Sequence, residues 1–286
     1  MRRRADPGPD GIRPRGALEG RHASEAAHIR SFTERPVLSA PKAFILHLER
    51  ATGRRATVEA LAASLPIASE ILPAVDGARL SPGEAEAAYR RRLHAPTYPF
   101  ALSPAEIGAF LSHRAAWRRI VADGLDFAFV FEDDAALAPD LFAGLLGFAV
   151  DQRARWDYAL LPAAGLEPAG AEIVRQGPFA LIRPHAPPLR AIGQIVSRKA
   201  AKRLLAVTDP FDRPVDTFLQ MAWVTGETLL AIVPTPVRDV SRATGGTTVQ
   251  RRRMGLLDRL RHEALRPIYR ARIQALYRRH EAARPK

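Results

Sequence analysis

The chain has 286 residues, 47% of them hydrophobic, which is enough for one large α/β domain or two small ones and too much for a wholly disordered chain. It contains no cysteine, which removes disulfides, thiolate catalysis and cysteine-ligated zinc from consideration. The formal charge of +13 sits at the ends: residues 1–42 hold nine Lys and Arg against five Asp and Glu, residues 251–286 hold twelve against three, and the region between holds 22 of each. Nucleic-acid readers usually carry their positive charge on the folded reading surface, so this neutral centre argues against nucleic acid as the main partner.

Residues 1–40 are rich in Pro, Gly and charge and read as a disordered basic leader or a misassigned start. No apolar segment of a signal peptide follows Arg2-Arg3-Arg4, and no stretch approaches the roughly 20 apolar residues that span a bilayer. The expectation is a cytoplasmic protein. The pattern changes at Ala43, where Ala43 to Leu48 reads as a buried strand, followed by Arg54 and Arg55 and a helix from about Ala56 to Leu65. Ile71 to Val75 reads as a second strand closed by the turn pair Asp76-Gly77. Strand, helix, strand in this order favours a parallel sheet.

Ser81-Pro82-Gly83-Glu84 and Ser103-Pro104-Ala105-Glu106 are both helix-start signatures: Ser caps, Pro fits the first position, and Glu reaches back. The second opens a long amphipathic helix through Phe110, Trp117 and Val121, stopped at Gly124. Phe127 to Phe131 is the clearest strand and runs into Glu132-Asp133-Asp134. Further strands are expected at Tyr158–Leu161, Phe179–Ile182, Ile192–Ser197 and Leu229–Val233, with a helix over Arg198–Val207 and a turn and short helix within Phe211–Trp223. The stretch from Glu167 to Gln176 reads as a variable loop on the acceptor side. Residues 251–286 read as two basic amphipathic helices broken near Pro267.

A strand that ends in three carboxylates concentrates negative charge where open α/β sheets bind ligands. The carboxylates repel one another unless a cation or strong donors compensate, and a hard divalent metal with oxygen ligands suits them. Continued strand geometry would turn Glu132 and Asp134 to one side and Asp133 to the other. The alternative is a solvated acidic loop beside a helix start.

Several segments together resemble glycosyltransferase family 25: AFILHLERATGRR, the turn PAVDG, the helix AEIGAFLSHRAAWRRIV, FAFVFEDD, and later IVSRKAAKRLL and RPVD. They run in the family's order from about Ala43 to Val237. The resemblance implies a GT-A-type, Rossmann-like mixed sheet flanked by helices over residues 41–250, with a basic helical tail after it. It implies an inverting transfer of a hexose, usually galactose, from a UDP-sugar to a glycan such as lipopolysaccharide or a lipid-linked oligosaccharide. It also implies Mn²⁺ or Mg²⁺ held by the EDD acids. The chain departs from the family where an aromatic is expected before IVSR and Gln194 stands instead, which leaves the sugar in doubt.

On this reading Asp134 is the first metal-ligand candidate and Glu132 the second, while Asp133 binds the donor sugar or ribose. Asp216 is the candidate general base, weighed against an ordinary helix cap, and Asp212 is the competing choice. Ser112, His113 and Arg114 are placed near the nucleotide. Arg54 and Arg55 suit a diphosphate, because a guanidinium fork binds two oxygens, and Asp76 suits the base or ribose. Each of these has a plain structural alternative as surface charge, turn former or core-edge side chain. The apolar stripes Leu257, Leu260, Ala264 and Tyr269, Ile273, Leu276, set among arginines, suit peripheral contact with an anionic membrane through residues 251–286, at the inner face of the cytoplasmic membrane. Packing on the domain is the other reading. A catalytically inactive relative serving as a membrane- or glycan-binding scaffold is the competing function.

Overall fold

The computed structural model describes residues 39–186, 188–242 and 256–283. The leader and residues 243–255 lie outside them. The first half runs β1 (Lys42–His47), α1 (Arg55–Ser64), β2 (Ala68–Pro73), α2 (Pro82–Ala88), α3 (Pro104–Ala122), β3 (Phe127–Glu132), β4 (Ala135–Leu137) and α4 (Pro139–Asp151). The second half runs β5 (Tyr158–Leu160), β6 (Gly170–Gln176), β7 (Phe179–Pro184), β8 (Gly193–Ser197), α5 (Arg198–Val207), α6 (Val215–Leu219), α7 (Ala222–Thr225), β9 (Leu230–Val233), β10 (Val237–Asp239) and α8 (Leu256–Ala282).

Eight strands form one mixed sheet in the order β2-β1-β3-β8-β5-β9-β7-β6, and β4 pairs with β10 in a separate ribbon. Strands β1, β2 and β3 are mutually parallel, and β8 runs antiparallel to β3. Their shared edge therefore gathers the carboxyl ends of three strands and the start of a fourth. The central strands are apolar at nearly every position because both faces are covered. Phe44, Leu46, Ala128 and Val130 face one core with Phe110, Trp117 and Leu204. Ala43, Ile45, Phe127, Phe129 and Phe131 face the other with Leu61, Phe142 and Phe148.

Both serine signatures form full capping boxes, on Ser81 with Glu84 and on Ser103 with Glu106, each with Pro at the helix start. The start of α3 lies directly on the turn after β2. A Cβ on Gly108 would stand 2.5 Å from the Val75 carbonyl oxygen, and one on Gly77 would stand 1.6 Å from that of Pro104. Ser112 seals the contact: it accepts from the Val75 N–H at 2.8 Å and donates to the Gly108 carbonyl at 2.7 Å.

Two sequence expectations are corrected. Glu167–Gln176 is not all loop, since Gly170–Gln176 forms β6 at the sheet edge against β7. The tail does not break at Pro267, which lies inside the single helix α8. The second part of its apolar stripe packs on the domain, with Tyr269, Ile273 and Tyr277 buried in the core on the α3–α5 side, while the side chains of Leu257 and Leu260 lie outside the described residues. Tyr277 Oη donates to the Pro184 carbonyl at 3.1 Å, and Arg213 Nη1 donates to Tyr269 Oη at 2.6 Å. Among the described residues no helix is long and apolar enough to cross a membrane.

Because Gly108 meets backbone, Gly108→Ala is expected to destabilise the chain by about 2 kcal/mol or more in urea unfolding. Gly147, which has open space in mid-α4, is the control: Gly147→Ala is expected to stabilise by about 0.5–1 kcal/mol.

Candidate active site

The shared strand edge opens into a cavity of about 310 Å³. The loop after β1 supplies Arg50 and Arg54, the turn after β2 supplies Asp76, and the end of β3 supplies Glu132, Asp133 and Asp134. Ser112 and His113 come from α3, Arg190 from the segment before β8, Asp216 from α6, and Asp239 and Ser241 from β10 and just beyond. The fold thus brings together groups up to 191 positions apart, from Arg50 to Ser241.

The three consecutive acids go to three different environments. Glu132 Oε1 lies 3.1 Å from His113 Nε2. Asp133 forms a buried ion pair with Arg54 Nη1, and its other oxygen is 3.5 Å from His47 Nδ1. Among the described residues Asp134 has only a distant guanidinium, Arg54 Nη1 at 3.9 Å, and its Oδ1 is buried with no hydrogen-bond partner. Burial, with repulsion from Glu132, pushes the Asp134 carboxyl up to about 7; Arg54 offsets part of this, while Asp133 and Asp239 add to it.

Asp216 is half-buried in the first turn of α6, where the cap position itself is Pro214. Its oxygens accept from the N–H groups of Thr217 (2.6 Å) and Arg190 (3.3 Å). Burial raises its pKa against the pull of these donors, and Glu132 adds to the rise. Arg190 holds a positive φ of 74°, uncommon for a side chain of this size, and its guanidinium pairs with Asp239. Asp76 accepts from the Ala78 N–H at 3.1 Å and pairs with Arg50 at 2.8 Å. Burial raises its carboxyl, but these donors together outweigh it and hold the group below the usual range.

Three of the sequence candidates point elsewhere. Arg55 is exposed on α1 and pairs with Glu59 at 2.6 Å. Arg114 is buried on the far side of α3, donating to the Thr208 carbonyl and to Asp209 at 2.8 Å. Asp212 lies outside the cavity, with both oxygens bound by Arg213 at 2.7 and 2.8 Å and one also accepting from the N–H groups of Leu93 and His94. Burial raises the Asp212 carboxyl, but this pairing outweighs it and holds the group low, the wrong direction for a base. Sequence reasoning did not find Arg50, Arg190 or Asp239, whose neighbours are set by long-range packing.

Residues 40–161, from β1 to the end of β5, match the model of glycosyltransferase family 25 (LPS biosynthesis protein). Residues 40–161 thus carry a glycosyltransferase family 25 domain. The matched segment holds Arg54, Asp76, Ser112, His113 and the three acids; Asp216 lies beyond it. Human inactive glycosyltransferase 25 family member 3 is 27% identical over 211 residues, 71% of this chain and 35% of that protein. Zebrafish (Danio rerio) procollagen galactosyltransferase 1 is 27% identical over 190 residues, 63% of this chain and 31% of that protein. The chain therefore spans about a third of the length of these curated relatives. A Thermus thermophilus structure described as mannose-1-phosphate geranyltransferase aligns over 73% of the chain and 80% of its own, at 10% identity and a TM-score of 0.34, too distant to build on.

Two outcomes follow from these geometries. The Asp134 carboxyl is near 7 in the folded chain and 3.8 ordinarily, so the folded state holds the extra proton between those values and loses stability as pH rises through them. In metal-free buffer at pH 8, Asp134→Asn is expected to be more stable than the parent chain by about 2–4 kcal/mol, with the gap closing towards pH 4. Asp212→Ala would strand a fully buried guanidinium and is expected to cost about 3–5 kcal/mol in the same assay, whereas Asp216→Asn should leave stability at or above the parent level.

Proposed function

We propose that this family 25 chain is an inverting, divalent-metal-dependent transferase of the GT-A type that moves a hexose, galactose in the first instance, from a UDP-sugar to a glycan hydroxyl. The observation that carries the reading is the unpartnered, buried Oδ1 of Asp134 in a cavity with an excess of acids. Seven carboxylates line the cavity (Asp76, Glu106, Glu132, Asp133, Asp134, Asp216, Asp239) against three guanidiniums (Arg50, Arg54, Arg190). A nucleoside diphosphate would be repelled by that excess unless a cation entered with it.

The donor set suits Mn²⁺ or Mg²⁺. Among the described residues no group of three or more acids or histidines closes a cage. That fits a cation held by one or two carboxylates and completed by substrate phosphates. Asp134 would be the first ligand and Glu132 the second, and the bound cation would neutralise charge on the departing diphosphate. Arg54, fixed by Asp133, supplies permanent positive charge at the carboxyl end of β1, and Asp76 with Arg50 forms the wall beyond it. Asp216, with its raised pKa, suits the base. The acceptor oxygen attacks the anomeric carbon, its proton passes to Asp216, and the bond to UDP breaks with its electrons going to the diphosphate. The proposed acceptor is a lipopolysaccharide-type or lipid-linked oligosaccharide, met in the cytoplasm.

A second reading has its own observation, since the human relative is named inactive. On that reading the cavity binds a nucleotide-sugar or glycan without turnover.

Calorimetry with UDP-galactose, with and without Mn²⁺, separates these. We expect metal-dependent binding that Asp134→Ala abolishes, and turnover with a glycan acceptor that falls by about 10²–10⁴-fold in Asp216→Asn while binding persists. Binding without turnover on any glycan acceptor would favour the inactive reading. A folded chain that binds neither a UDP-sugar in the presence of metal nor a glycan would remove both.

A further inference from the structure

Gln194 stands at the centre of the sheet, on β8 between Val130 of β3 and Leu160 of β5, with none of its surface exposed. Its neighbours on that face are apolar, so an amide there is costly unless its hydrogens are used. Both are: Nε2 donates to the Ala191 carbonyl at 3.1 Å and meets His113 Nδ1 at 3.1 Å, while Oε1 is buried with no partner among the described residues. The Ala191 carbonyl decides the amide's orientation, because the flipped amide would set oxygen against oxygen. Gln194 therefore presents a donor to His113, and Nδ1 must accept. The remaining proton of the neutral ring then lies on Nε2, 3.1 Å from Glu132 Oε1.

We infer that Gln194 is a positioning residue for the carboxylate at the end of β3. It fixes His113, itself buried, as the Nε2–H tautomer. His113 in turn holds one oxygen of Glu132 and leaves the other, which has no hydrogen bond to any described residue, for the cavity. On this assignment His113 is neither a metal ligand nor a base; both ring nitrogens are used in orienting Glu132. The departure from the family pattern at Gln194 thus acquires a function: it is the second link of a chain from Ala191 through His113 to the acidic edge. Its effect on a cation rests on the donor-site reading above, but the tautomer does not.

The test uses the full chain, metal-free, with ¹⁵N-labelled histidine rings. Two-bond ¹H–¹⁵N correlation spectra are expected to show His113 as a single Nε2–H tautomer in the parent chain, assigned by its loss in His113→Gln. Gln194→Met, close in volume but unable to donate, is expected to convert this to a mixture of tautomers. The same variant is expected to weaken Mn²⁺ binding, read by electron paramagnetic resonance, by about tenfold or more, the usual scale for partners that orient a ligand. An Nδ1–H tautomer in the parent chain would overturn the inference without any variant having to fold. So would a folded Gln194→Met with the parent tautomer and Mn²⁺ affinity. A parent chain that shows the expected tautomer but binds no Mn²⁺ would overturn the donor-site reading and leave the orientation of His113 by Gln194 supported.

Discussion

Carboxylates in succession at the mouth of a buried strand repel one another, and the fold around this edge is the answer to that repulsion. The buried pair of Arg54 with Asp133 removes one negative charge. The His113 contact restrains a second, on Glu132. The third, on Asp134, is left with an uncompensated oxygen. That residual imbalance makes the edge a site, because a fully paired cluster would be only a structural knot. Each compensation needs its own element in place: the turn after β1 for Arg54, the middle of α3 for His113, the entry to β8 for Gln194. The backbone contact between Gly77 and Gly108 is the joint that keeps α3 close enough.

Much of the fold was legible because its signals are local. Apolar runs such as Phe127–Phe131 mark strands covered on both faces, and the two serine capping boxes mark helix starts without any tertiary knowledge. The failures are also physical. Glu172 and Arg175 make β6 look like loop, because an edge strand can be charged along much of its length. Three-residue strands such as β4 and β10 carry too little pattern to read, and α4 went unread although it carries a core face. Pro267 signalled a break, but the packing of Tyr269, Ile273 and Tyr277 outweighs one missing backbone donor.

Within the site, legibility depended on how far a residue's partner lies along the chain. The acidic triplet announced itself by adjacency. Arg54 and Arg55 are neighbours in sequence and part only in space: one turns into the sheet edge, the other onto the solvent face of α1. Asp212 and Asp216 both flank a proline, and both read as candidate bases. Only the direction of Arg213 separates them, since it neutralises the first and leaves the second facing Glu132 from across the cavity. Arg190 and Asp239 had no signal at all, for their pairing spans 49 positions with no motif at either end.

The buried guanidinium of Arg213 ties together three distant parts of the chain. Three residues before Asp216, it grips Asp212, the His94 carbonyl and Tyr269 of the last helix at once. The basic C-terminal helix is therefore not a detachable appendage. Arg266, Arg270, Arg272, Arg278 and Arg279 face water, but Tyr269 and Tyr277 are buried in the core and bond Arg213 and the Pro184 carbonyl. The helix and the segment that leads into α6 meet at Arg213: replacing the tail would take Tyr269 from that guanidinium, three residues before the proposed base.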